Sequence, residues 1–287
     1  MRWVFIFILS TTRFFDQDFH PQAHKGLITV PASKKYDSPS PLEKIFFGTN
    51  YRKEWGTPVT MPVFDLRNTN FKIVRMGGGQ QTTSLELVDD KNGEWVLRSV
   101  DKNVKPPNEL AGNRFIQYII QDHVSGSYPY AGLSIPVIAN VVGVPAGEQH
   151  LFFVSDDEAF GEHRSLMGNK VFVLVNHPPQ STEGITTNEM MEKLKSNPSY
   201  CVDQKQYLKA RLLDWLIADW DRHVDQWRWI ERKTDSGTAF LVQPRDRDQA
   251  FYRSNGLLVG FVGLFFMPHL NKFNHTGRGI KGLSKKS

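Results

Sequence analysis

The chain has 287 residues, 40% of them hydrophobic and 23% charged. That balance is ordinary for a globular protein, argues against disorder through the middle of the chain, and suits one large domain or two lobes. A single cysteine, Cys201, excludes an internal disulfide, and a net charge of +5 spread along the chain suits a phosphate-bearing ligand or an anionic surface while giving no basic stripe for nucleic acid.

Met1 to Leu9 carries one positive charge and then an apolar run, the order of a signal peptide. A buried strand or the remnant of an upstream domain reads equally well from it. Residues 11 to about 60 are rich in Pro, Ser and Lys without a sustained period, so residues 1–59 are expected as an extended arm with short ordered pieces. Met61 to Leu66 reads as a first strand. Next come Gly77, Gly78, Gly79 and Gln80, leading into a strand, the turn Asp89-Asp90-Lys91-Asn92-Gly93, and a return strand from Glu94 to Val100. Together they predict a glycine-led hairpin.

Glu109 to Val124 has a helical period after Pro106 and Pro107. Leu151 to Val154 and Val171 to Val175 are rich in β-branched and aromatic residues and predict strands. Thr187 to Lys195 reads as a helix. Asp203 to Asp219 is the strongest helical pattern, with Leu208, Leu212 and Leu216 on one face, Leu213 and Ile217 beside them, and Asp203 with Gln206 in a capping-box pattern. Cys201, at the entry to that helix, is expected to pack. Trp227 to Ile230 and Ala239 to Val242 predict two strands joined by a polar turn. No run reaches the ~18 apolar residues of a membrane span; Gly256 to Met267 comes nearest and suits a buried helix or an interfacial patch.

Two acidic clusters flank that last hairpin: Asp221-Arg222-His223-Val224-Asp225-Gln226 before it and Arg245-Asp246-Arg247-Asp248 after it. Phosphoryl transfer needs one carboxylate to orient or deprotonate an acceptor hydroxyl and another to hold the divalent cation that neutralises nucleotide phosphates. Gln226 and Asp246 can supply oxygen ligands to such a cation. The glycine turn lets backbone amides approach phosphates, and Arg98 or Lys102 can neutralise them. Taken singly, the clusters also read as a capped helix end and a polar turn. A zinc site at His223 lacks a second His or a Cys pair, and a serine hydrolase lacks its Gly-x-Ser-x-Gly elbow.

In this order the elements and motifs resemble the atypical protein-kinase-like fold: the spore-coat kinase CotH, the Golgi secretory-pathway casein kinase group, HipA and the type II phosphatidylinositol 4-kinases. Trp220 to Trp227 and Pro244 to Phe251 are similar to the two catalytic segments of those families. The resemblance implies a two-lobe α+β domain. A strand-rich nucleotide-binding lobe would span 60–178 and a truncated helical lobe 179–287. It also implies ATP with Mg or Mn and a protein or small-molecule acceptor. Asp221 would orient the acceptor, Gln226 and Asp246 would hold the metal with Asp248 as the alternative ligand, and Arg98 or Lys102 would clamp phosphates.

Three departures are visible: Arg98 stands where Lys is usual, the helix after the hairpin offers Gln117 and Asp122 but no clear Glu, and Gln226 replaces Asn. A non-catalytic binding or assembly module and a metal-dependent phosphohydrolase are the other readings. Tyr51 to Val59 and Val96 to Lys102 are also similar to a domain of unassigned role in bacterial envelope proteins, between a metallophosphoesterase and an outer-membrane barrel. That likeness implies an envelope or periplasmic address and membrane association through a larger protein.

Overall fold

A computed structural model describes residues 24–77, 82–105, 112–177, 184–219, 222–235 and 237–258. The described residues form a mixed α+β structure with a seven-stranded and a three-stranded sheet. The large sheet contains β1 (His24–Val30), β2 (Val59–Phe64), β3 (Lys72–Gly77), β4 (Ser84–Val88), β5 (Glu94–Ser99), β6 (Gln149–Val154) and β7 (Lys170–His177). Their order across the sheet is β1-β2-β6-β7-β5-β4-β3, antiparallel throughout except for the β2–β6 pair.

Alternation places Leu97 and Ser99 of β5 inward, and Leu97 packs with Phe64, Leu85, Leu87, Phe152, Phe172 and Leu174. The β4–β5 turn is held by Asp89, whose Oδ1 accepts from the amides of Lys91 (2.9 Å) and Gly93 (2.6 Å) while its Oδ2 accepts from Trp95 Nε1 at 2.9 Å. Gly77 closes a strand that was not foreseen, β3. Gly78, Gly79 and Gln80 lie outside the described residues.

The stretch expected as an extended arm is built into the fold from residue 24 onward. β1 pairs with β2, α1 (Pro41–Phe47) is capped reciprocally by Ser40 and Glu43, and α2 (Arg52–Gly56) buries Trp55. The Trp55 indole donates to the carbonyl of Ser127 at 2.9 Å, and Tyr36 packs edge-on against it. These elements are short, α1 burying Phe47 and α2 burying Arg52 and Trp55, so no period builds up in the sequence.

α3 (Arg114–Asp122) follows, then α4 (Ala131–Val142), α5 (Arg164–Met167, one turn), α6 (Thr187–Ser196), β8 (Tyr200–Val202), α7 (Gln204–Leu216), β9 (Trp227–Thr234) and β10 (Gly237–Pro244). α4 carries Pro136 in its interior, which costs a helical hydrogen bond and hides the helix from sequence reading. β10 runs parallel to β8 and antiparallel to β9. A second core joins α4, α7 and this small sheet through Ile135, Ala139, Leu213, Trp227, Trp229 and Phe240.

Asp203 caps α7 by accepting from Gln206 N at 3.0 Å. The reciprocal half of the expected box is absent, because Gln206 Oε1 accepts instead from Val242 N at 2.9 Å on β10. Cys201 is exposed on β8, a correction to its expected packing role. Among the described residues no helix is long and apolar enough to cross a membrane.

Candidate functional site

The β9–β10 register pairs Trp227 with Pro244, and one step beyond it Arg245 N donates to Gln226 O at 2.8 Å. The two acidic segments therefore lie side by side at the open end of the hairpin. Asp221 itself is outside the described residues. Gln226 is buried in a 3-10 turn, and its Oε1 accepts from His223 N at 3.4 Å.

Arg222 anchors the arrangement. Its side chain is fully buried; Nε donates to Asp214 Oδ2 at 3.2 Å, Nη2 to Asp219 Oδ2 at 2.6 Å, and Nη1 to the carbonyl of Arg245. The guanidinium also stacks 5.1 Å from the Trp227 ring centroid. Arg247 reaches the same acid, with Nε 3.0 Å from Asp214 Oδ1. Asp214 thus gathers Arg222 and Arg247 from later in the chain, with Nη1 of Arg211 on its own helix 3.5 Å away.

Asp246 lies between these two tethered neighbours. Its φ of +48° is in the left-handed region, uncommon for a residue with a side chain, and the ties on either side hold it there. Held this way, the Asp246 carboxyl points toward the large sheet.

From that sheet come two cations. Gly77, Ser84 and Arg98 form one row across β3, β4 and β5, so Arg98 leaves the sheet opposite the end of the glycine-bearing strand. Arg98 sits on the face away from Leu97, and its Nη1 lies 3.6 Å from Asp246 Oδ1. Lys102, just past β5, is buried and ion-paired with Asp248. The turn carrying Lys102 is braced by Gln121 of α3, whose Nε2 donates to Lys102 O at 2.7 Å, and by Asp101, which accepts from Ser33 Oγ (3.0 Å) and Tyr36 Oη (2.7 Å). Asp122, the acid offered by the helix after the hairpin, pairs with Arg52 at 2.7 Å.

The carboxyls answer to this setting. Loss of hydration and then the Asp248 charge push Asp246 up, against Arg98 and Lys102. Burial also pushes Asp248 up, but Lys102, Arg98 and a hydrogen bond from Asp246 outweigh it and hold Asp248 below the ordinary carboxylate range. The two neighbouring carboxyls are thus pushed in opposite directions. Burial raises Asp219 to about 7, opposed by Arg222 and reinforced by Asp214 and Asp248. Arg98 and Asp246 are 39% and 38% exposed, so their bridge is screened by solvent and worth on the order of 1 kcal/mol or less. Among the described residues no three His, Cys, Asp or Glu side chains converge to hold a metal ion by themselves.

Arg98, Lys102, Asp246 and Asp248 are thus brought together, and Gln226 lies next to the Asp246 strand exit. Sequence reasoning missed Asp214, Asp219 and Arg247. The one available signal was Asp214, a lone acid in the apolar run of α7. No protein-family model matches the chain, and no curated protein matches it either.

Proposed function

We propose that the chain is a two-lobe, kinase-like domain that binds a nucleotide with a divalent cation and transfers phosphate to a hydroxyl. In this reading the large sheet with its glycine-bearing β3–β4 connection is the nucleotide lobe. The second core and the small sheet form the acceptor lobe. The observation that carries it is the meeting of Arg98 on β5 and Lys102 just past it with Asp246 and Asp248 just past β10. Phosphoryl transfer depends on positioning and charge neutralisation, and these are the residue types it needs.

The donor set fits a divalent cation. Asp246 and Asp248 present carboxylate oxygens from one short segment, one toward Arg98 and the other toward Lys102, and a hard divalent cation takes such oxygens. When bound, such a cation would neutralise phosphate oxygens. Asp246 and Asp248 would hold it, with Gln226 as a further oxygen donor. Arg98 and Lys102 would turn from the carboxylates to the phosphates. Asp221 would orient the acceptor hydroxyl.

The test is thermal denaturation with ATP, with and without Mg or Mn. Stabilisation that requires both nucleotide and metal, and that is lost in Asp246→Asn without a change in the unliganded melting temperature, supports the reading. Absence of any shift in the wild type refutes it. One observation favours a second reading, a non-catalytic binding module: both carboxylates already have cation partners within the chain, so the site is electrically balanced without ligand.

A further inference from the structure

The structure assigns a second surface, on the outer face of α7. We infer that this face docks an acidic amphipathic helix of a partner protein. Ala210 and Leu213, with Ile217 just past the helix end, face the second core. The opposite side presents Leu208 (58% exposed), Leu212 (54%), Trp215 (48%) and Leu216 (58%). Their spacing of i, i+4, i+7 and i+8 makes one continuous ridge. A helix apolar on both sides is built to be covered on both sides, because a solvated ridge of three leucines and a tryptophan forgoes their burial free energy.

The rim sets the chemistry of what covers it. Lys205 and Lys209 are exposed along the ridge and make no ion pair among the described residues. The only acid in α7, Asp214, is fully buried on the other side. The ridge is therefore apolar with a cationic edge, complementary to an apolar stripe with an acidic edge. A second copy of the chain fits poorly, since twofold pairing of identical faces sets these lysines against each other. The four apolar side chains are each about half exposed, which suits ridge-into-groove packing against another helix.

The test uses the full chain and two fluorescein-labelled helical peptides of about five turns. Each carries leucines at i, i+4, i+7 and i+8; one is flanked by Glu, the other by Lys. Fluorescence anisotropy should show binding of the Glu-flanked peptide, weakened by salt, with the Lys-flanked peptide much weaker. Leu208→Gln with Leu212→Gln should weaken the Glu-flanked peptide roughly tenfold or more. Both positions are exposed, so the melting temperature should not move. Equal binding of the two peptides, no binding, or binding unaffected by the double variant overturns the proposal. Sedimentation of anionic phosphatidylglycerol vesicles by the wild type but not the variant would give the face to a membrane. A concentration-dependent dimer lost in the variant would give it to a second copy. Either result overturns the proposal.

Discussion

Asp214→Asn is the sharpest perturbation of the network behind the site. The Asp214 carboxylate is fully buried and accepts from Arg222 Nε at 3.2 Å, Arg222 Nη2 at 3.4 Å and Arg247 Nε at 3.0 Å. Asparagine preserves the volume but removes the charge, and it aims an NH2 donor at a guanidinium donor. Among the described residues Asp219 is the one other acid bonded to Arg222, and burial pushes its pKa up to about 7, so it holds a charge less readily than an ordinary carboxylate. Breaking a buried pair by removing one partner costs about 3–5 kcal/mol. For a chain of this size each kcal/mol lowers the melting temperature by about 2–4 °C, so a fall on the order of 10 °C is expected. Urea denaturation at pH 7, followed by tryptophan fluorescence, should show the midpoint displaced by the same free energy. A variant within about 1 kcal/mol of wild type would refute the buried network, because Arg247 would lose its carboxylate partner and Arg222 would keep only Asp219.

Asp219 has a folded pKa of about 7, above its unfolded value, so the native state holds a proton that the unfolded chain has lost. Its contribution is fully favourable at low pH, and stability falls by about 1.4 kcal/mol per unit as pH rises from about 4 to 7. Asp219→Asn should flatten that part of the curve, and parallel wild-type and variant curves between pH 5 and 7 would contradict the assignment. Arg98→Met should abolish the metal-dependent nucleotide shift while leaving the unliganded melting temperature nearly unchanged, since its bridge to Asp246 is half exposed; a preserved shift would pass the phosphate role to Lys102. Gly237→Ala should cost more than about 1 kcal/mol, because Gly237 has a φ of +144° and an added Cβ would lie 2.1 Å from Ser199 O. A chemical denaturation midpoint equal to wild type would rule out that turn geometry.

Local regularities were legible in the sequence. The β4–β5 hairpin follows from alternation around the Asp89-Asp90-Lys91-Asn92-Gly93 turn, and α7 from its helical apolar spacing and the Asp203 cap. The β9–β10 hairpin follows from two short apolar runs around a polar turn. Hairpin geometry then juxtaposes Gln226 and Arg245, so the adjacency of the two acidic segments was implicit in the sequence too. The face of Arg98 was fixed by the period-two alternation of β5.

Which way α7 turns was not legible, because leucines occupy both of its sides and only packing selects Leu213 over Leu212 for the core. β1, α1 and α2 were hidden because each is short and stabilised by distant partners, as Trp55 is by Ser127. The attachment of Arg222 and Arg247 to Asp214 was hidden for a related reason. Arg247 lies 33 residues from Asp214 in sequence, and charge pairing leaves no periodic trace. Local sequence sets torsion preferences and apolar periods, whereas a buried ion network exists only once long-range packing has removed water from its members and left each charge with only the others for company.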